Sequence, residues 1–321
     1  MNNLETFTSN FKNIYKNKCM NTNLPSILPA VPRIIVIGDI HGDMDKLLQC
    51  LIIARLIKNK KWIGGDTVVV QVGDQIDSCY RGNGPPDQCN YIIKQDDYPS
   101  DIEILYFMTD LHNQATKFGG AVYSLVGNHE IMNVNGDMTY VSHTNLKMFK
   151  QHGTLEEGRQ IRTELFSPGN EIANFLACTR QLAIVIGSNL FVHGGIIPYI
   201  ANKYKIEDMN MILTLFLLGE IDKPEIFKDL FTNGKTSPLW TRVFGFKIDN
   251  CDKYMTPLKE IYNVNNIFVG HTPQIKKGIS SRCDNRVWMT DVGMSRAFSN
   301  MSAQPQVLEI INDGEQFNIL K

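Results

Sequence analysis

The chain has 321 residues, 43% of them hydrophobic and 20% charged, and a formal charge of −1, the profile of a globular protein with one large core. So balanced a charge excludes a global field for nucleic acid or an anionic membrane, and leaves any acidic substrate to be captured by local groups. No apolar run reaches the roughly 18 residues of a membrane helix, and the polar start through Asn2, Asn3, Glu5 and Ser9 lacks the plan of a signal peptide. Seven scattered cysteines with no CxxC pair argue against a disulfide framework and against a thiolate zinc site. These features together lead us to expect a soluble, cytoplasmic protein with no membrane partner.

In chain order, residues 1–30 form an N-terminal arm with a short helix over about 4–15, followed by a proline-bounded stretch that cannot continue it. Compact apolar runs then end at polar motifs. Residues 34–37 precede Gly38-Asp39-Ile40-His41-Gly42, residues 67–72 precede Gly73-Asp74-Gln75-Ile76-Asp77, and residues 121–126 precede Gly127-Asn128-His129-Glu130. Such runs read as buried strands whose C-terminal ends deliver the motif.

Helical patterns lie between them, with Leu47, Leu48, Leu51, Ile52 and Leu56 on one face and Ile104, Leu105, Met108 and Leu111 on another. Residues 80–99, rich in Gly, Pro and Asp, read as a loop bordering the motifs. Residues 182–186 and 190–193 read as a hairpin around Gly187-Ser188-Asn189, its second strand ending at His193-Gly194-Gly195.

A helical stretch, 206–218 and 224–231, forms a cap over 203–235, and strands at 267–269, 287–290, 307–311 and 317–320 complete the chain. The first of these runs into Gly270-His271-Thr272-Pro273. The alternation predicts an α/β (α+β) fold, a mixed two-sheet sandwich flanked by helices, with residues 31–321 as one domain.

The five glycine-flanked motifs together offer carboxylate, imidazole and amide donors, the ligand chemistry of two borderline or hard divalent cations. Mn is the first expectation, with an Fe/Zn pair as the alternative. Asp39 and His41, two apart, face the same way, and Asp74 has two oxygens with which to bridge. Two cations about 3.5–4 Å apart would hold a bridging water as nucleophile, its pKa lowered toward roughly 7. The demanding step is then protonation of the leaving alkoxide, and His129, next to the neutral ligand Asn128, is the candidate general acid. Glu130 reads as a residue that orients His129 or a ligand rather than a ligand itself.

These motifs resemble those of the calcineurin-like metallophosphoesterases of the phosphoprotein phosphatase group. Phe166-Ser167-Pro168-Gly169, Glu171-Ile172-Ala173, Leu190 through Ile196, Pro238-Leu239-Trp240-Thr241-Arg242 and Asp291-Val292-Gly293-Met294-Ser295 extend the similarity to the bacterial-type Shewanella-like protein phosphatases, over about residues 33–311.

The resemblance implies that Asp39 and His41 hold the first metal, that Asp74 bridges, and that Asn128, His193 and His271 hold the second. It also implies that Asp77 orients His129 and that Arg242 grips phosphate oxygens through a bidentate guanidinium. The implied activity is hydrolysis of phosphomonoesters on Ser/Thr or Tyr side chains of a phosphoprotein or phosphopeptide. The alternatives are a dinucleoside polyphosphate or small phosphoester hydrolase on the same donors, and a non-catalytic phosphoprotein-binding scaffold. Nuclease activity fits poorly, since no basic stripe with interleaved aromatics exists.

The second motif departs from the group's Gly-Asp-x-x-Asp-Arg-Gly, because Ser78-Cys79-Tyr80 separates Asp77 from Arg81. Arg81 either reaches the phosphate from a rearranged loop or ties down residues 80–99. Cys79 and Cys89 flank that loop, a redox-sensitive pair in one reading and two plain thiols in the other. Oligomeric state is not legible.

Overall fold

A computed structural model describes all residues except 1–2, 20–23, 82–90, 94–96, 150–152, 222–227, 233 and 302. The strands in chain order are β1 (Ile27–Leu28), β2 (Arg33–Ile37), β3 (Ile57–Lys58), β4 (Lys61–Trp62), β5 (Val68–Gln71), β6 (Ala121–Leu125) and β7 (Arg180–Gln181). Then come β8 (Ala183–Ile186), β9 (Asn189–Val192), β10 (Asn266–Val269), β11 (Ser280–Arg282), β12 (Val287–Met289), β13 (Val307–Ile311) and β14 (Gln316–Leu320).

They form the two-sheet mixed α/β sandwich that the apolar runs predict. One sheet runs β14-β13-β2-β5-β6-β7, the other β1-β8-β9-β10-β12-β11, and β3-β4 is a separate small hairpin. β2, β5, β6 and β7 are mutually parallel, as are β9, β10 and β12. Parallel strands point their C-terminal ends the same way, so each sheet gathers its motif loops along one edge.

β2, β5, β6, β8, β9 and β10 are largely apolar and buried because both faces of the sheets are covered at their centre, whereas the edge strands β1, β11 and β14 are partly exposed. Alternate residues of the second sheet separate between two cores. Ile184, Ile186, Phe191, Phe268 and Trp288 pack toward the first sheet, with Phe191 and Phe268 stacked at 4.8 Å. Val185, Leu190, Val192, Ile267, Val269 and Met289 face the opposite way, in one cluster with residues of helices Glu171–Thr179, Ile206–Leu217 and Asp252–Tyr262. Burial of a side chain such as Phe268 stabilises the fold by about 1.5–3 kcal/mol.

The hairpin turn is shorter than expected, since Asn189 already pairs with Ile186 and only Gly187 and Ser188 turn. Asp313 explains this by accepting from Ser188 N (2.8 Å) and Asn189 Nδ2 (2.7 Å). The N-terminal helix spans Asn3–Lys18, and the expected cap contains helices Ile206–Leu217 and Lys228–Phe231, with 222–227 outside the described residues.

The cysteines require a correction. Cys19 is bonded to Cys178 and Cys251 to Cys283, and Cys79 is disulfide-bonded as well, while Cys89 lies outside the described residues. Sequence scatter hid these pairs because packing brings together residues separated by 159 and 32 positions. The cysteine argument against a disulfide framework falls with it, and because disulfides persist where the surroundings are oxidising, the cysteines no longer support the cytoplasmic expectation. None of the described helices is long and apolar enough to cross a membrane.

Candidate metal centre

Loops from both sheets converge. Asp39 and His41 follow β2, Asp74 and Asp77 follow β5, and Asn128 and His129 open helix Asn128–Val134 after β6, while His193 follows β9 and His271 follows β10. All eight side chains are buried. His41, Asp74, Asp77 and His271 adopt left-handed backbone at φ 44, 53, 74 and 64°. Non-glycine residues take up that region at a cost, and strain of this kind collects where side chains must be aimed. The neighbouring glycines supply room, because a Cβ on Gly127 or Gly270 would collide with the carboxylate of Asp74 or Asp39.

Asp74 Oδ2 is the hub. It lies 3.3 Å from His193 Nε2, 3.8 Å from His41 Nε2 and 3.9 Å from His129 Nε2. His41 Nε2 is also 4.0 Å from Asp39 Oδ2, and His193 Nε2 is 2.9 Å from Asn128 Oδ1. Three imidazoles have their other nitrogen against a backbone carbonyl: His41 Nδ1 on Ile76 O (3.3 Å), His193 Nδ1 on Val72 O (2.9 Å) and His271 Nε2 on Trp240 O (3.1 Å). These carbonyls hold each ring with its other nitrogen turned toward the cluster, the usual support for a metal-binding histidine, and His41 Nδ1 is shared between Ile76 O and Arg81 Nη2.

Burial, with Asp291 and Asp74 adding to it, holds the Asp39 carboxyl well above the usual carboxylate range. For Asp74 burial acts the same way, but His193, His129 and His41 outweigh it and hold its pKa well below that range. Burial, Arg81 and His129 depress His41, and burial with His193 pushes His271 down to about 2, so both present neutral nitrogens. His193 moves up, because Asp74 overcomes the effect of burial. Asp291, on the loop after β12, has a buried Oδ2 with no hydrogen-bond partner. Crowded carboxylates, neutral imidazoles and an orphaned buried oxygen make a donor set that cations fit.

Beside this centre, His129 Nδ1 donates to Asp77 Oδ2 at 2.7 Å. Arg81 does reach the site. Its backbone N bonds Ala297 O, its guanidinium lies over Tyr140 and Phe298, and Nη2 stands 3.2 Å from His129 Nε2 and 3.0 Å from His41 Nδ1. Arg81 Nε is buried and without a hydrogen-bond partner. Arg242 is exposed at the rim, anchored through Nη1 to His271 O, and it lines a cleft of ≈420 Å³ with Lys235, Trp240 and Phe246.

Glu130 holds the second motif rather than His129. Its carboxylate accepts from Gly127 N (2.6 Å), Gln75 N (2.7 Å), Asp74 N (3.0 Å) and Ile76 N (3.3 Å). Sequence reasoning missed Asp101, Asn133 and Arg162, which surround Asp77 from outside the motifs. Their only signal was polarity at positions that turn out to be fully buried.

Residues 32–274 match the family model for calcineurin-like phosphoesterases. The chain belongs to that family. A protein of Acanthamoeba polyphaga mimivirus is 36% identical over 241 residues, covering 65% of this chain and 96% of the relative. Shewanella-like protein phosphatase 2 of Arabidopsis thaliana is 29% identical, covering 88% of this chain and 75% of that one. Among solved structures, the cold-active protein-tyrosine phosphatase of a psychrophilic Shewanella species matches with a TM-score of 0.69 at 23% identity, over 93% of this chain and 83% of the other, a likeness of fold. The family accounts for the gathering of His and Asp donors at the sheet edges of this phosphoesterase.

Proposed function

We propose that this phosphoesterase is a metal-dependent phosphoprotein phosphatase that cleaves phosphomonoesters of Ser/Thr or Tyr side chains. The observation that carries the reading is the His129–Asp77 pair, 2.7 Å between Nδ1 and Oδ2, set beside a cluster of donors and not within it. In this reading Asp39, His41 and Asp74 hold one cation and Asp74, Asn128, His193 and His271 the other. Two divalent ions bound there, Mn first by donor type, supply an activated water and neutralise phosphoryl oxygens.

The protein groups do the rest. His129 releases the proton on Nε2 to the leaving oxygen, and Asp77 keeps the ring oriented through Nδ1. Arg81 and Arg242 take phosphate oxygens from two sides with charge-assisted hydrogen bonds. Residues 31–321 act as the catalytic domain, with 80–99 as a loop beside the site, 203–235 as a cap and 1–30 as an arm. The names of relatives, protein phosphatases with a tyrosine phosphatase among the structural neighbours, favour phosphoprotein over nucleotide substrates.

The test is turnover of phosphotyrosine, phosphoserine and phosphothreonine peptides and of a dinucleoside tetraphosphate, each with Mn, Fe or Zn. We expect at least one phosphopeptide to lead with Mn. Dinucleotide turnover far above every phosphopeptide would replace this reading with a small phosphoester hydrolase. Metal binding without hydrolysis of a generic aryl phosphate would leave a scaffold.

A further inference from the structure

Asp77 is enclosed by a buried polar network that no motif contains. Arg162, fully buried on helix Leu155–Phe166, donates Nε to Asn133 Oδ1 (2.9 Å) and Nη2 to Asp101 Oδ2 (2.8 Å), and Nη2 lies 3.6 Å from Asp77 Oδ1. One face of its guanidinium packs on Phe166 at 4.9 Å, which keeps water away. Asn133, one helical turn after His129, donates Nδ2 to Asp77 Oδ1 (2.9 Å) and to His129 O (3.0 Å). Asp101 Oδ1 accepts from the Asp77 backbone N at 3.2 Å.

We infer that Arg162 and Asn133 are positioning residues for the acid pair, acting through Asp77. The direction of the Asn133 amide is the decisive geometry. Because Arg162 can only donate, the oxygen of Asn133 must face it, and the amide NH₂ must face Asp77. One Asp77 oxygen is thereby occupied by Asn133, and the other is left for His129 Nδ1. An immobile Asp77 holds the His129 ring through Nδ1 and aims Nε2 at the leaving group. The inference rests on the proposed phosphatase reading for its kinetics but not for its geometry.

A defect in proton donation falls hardest on poor leaving groups, whereas a defect in packing or metal holding falls on all substrates alike. The experiment compares Asn133→Leu, Arg162→Met, Arg162→Lys and the charge-balanced double variant R162M/D101N. Hydrolysis of p-nitrophenyl phosphate, whose leaving group needs little protonation, is set against that of a phosphoserine peptide.

We expect Asn133→Leu and Arg162→Met to lower kcat on the peptide about 100-fold and on the aryl phosphate less than about 10-fold, with KM little changed and partial rescue in Arg162→Lys. In metal-free protein labelled with ¹⁵N-histidine, the downfield Nδ1–H proton resonance of His129, assigned by its loss in His129→Asn, moves upfield in the same variants. If Arg162→Met does not fold, Asn133→Leu, which changes no charge, carries both readings. Equal losses on both substrates in folded variants, with the resonance unmoved, overturn the inference. A wild-type protein that cleaves neither substrate sinks the phosphatase reading instead, and a displaced resonance in Asn133→Leu then still upholds the positioning role.

Discussion

Glu130→Gln is the most demanding test of how the second motif is held. Four backbone N–H groups point at this carboxylate and no acceptor does. A proton on it would have nowhere to donate, so the group is ionised even though burial raises its pKa. Oε2 takes Gly127 N and Asp74 N, while Oε1 takes Gln75 N and Ile76 N. Glutamine preserves shape but turns one oxygen into an NH₂ that faces two donors. Two charge-assisted bonds at about 1.5–3 kcal/mol each are lost, roughly 3–6 kcal/mol together. Set against a stability of about 5–15 kcal/mol, that is a large fraction. The same bonds hold Asp74 in its left-handed turn, so on the proposed reading Mn affinity falls by roughly 10–100-fold. Urea denaturation and calorimetric Mn titration read the two effects. A Glu130→Gln protein that unfolds at the wild-type midpoint and binds Mn as tightly as wild type would refute the reasoning.

On the proposed reading, in which His129 protonates the leaving group, Asp77→Asn lowers kcat by about 10²–10⁴ with KM within a few-fold; a change confined to KM contradicts this. Removing Arg81 costs more in kcat than removing Arg242, since Arg81 is enclosed beside His129 and Arg242 is exposed at the rim; steady-state kinetics of the two alanine variants decide it. Burial pushes the Cys50 thiol up to about 12, so at pH 8 only about one molecule in ten thousand carries the thiolate, and iodoacetamide should label Cys50 only after unfolding, as peptide mass mapping would show. Serine at both Cys251 and Cys283 releases a closed loop of 32 residues and costs about 3–4 kcal/mol, read as the difference in denaturation midpoints between oxidised and variant protein.

The donors were legible because each sits beside a glycine at the end of an apolar run, where a strand must stop and turn. The sequence could not tell where Arg81 would go. Its path depends on where a three-residue detour sets its backbone and on the aromatic rings of Tyr140 and Phe298, far away in the chain. The polarity of Arg162 pointed the wrong way, since an arginine in a polar helix normally faces solvent, and only the packing of Phe166 and Asp101 around it reveals otherwise. The cysteine pairs failed for the same reason: spacing along the chain does not encode distance in space.

The donors are divided between the two sheets, with Asp39, Asp74 and Asn128 on one edge and His193 and His271 on the other. Any ion that binds across them therefore acts as a clasp on the sandwich, and prying the layers apart destroys the site. Binding and folding become one equilibrium. At a free metal concentration of about one hundred times Kd, the folded state gains about 2.7 kcal/mol per ion that the open sandwich does not share. Fluctuations in cellular metal supply would then set how long the molecule survives as well as how fast it works.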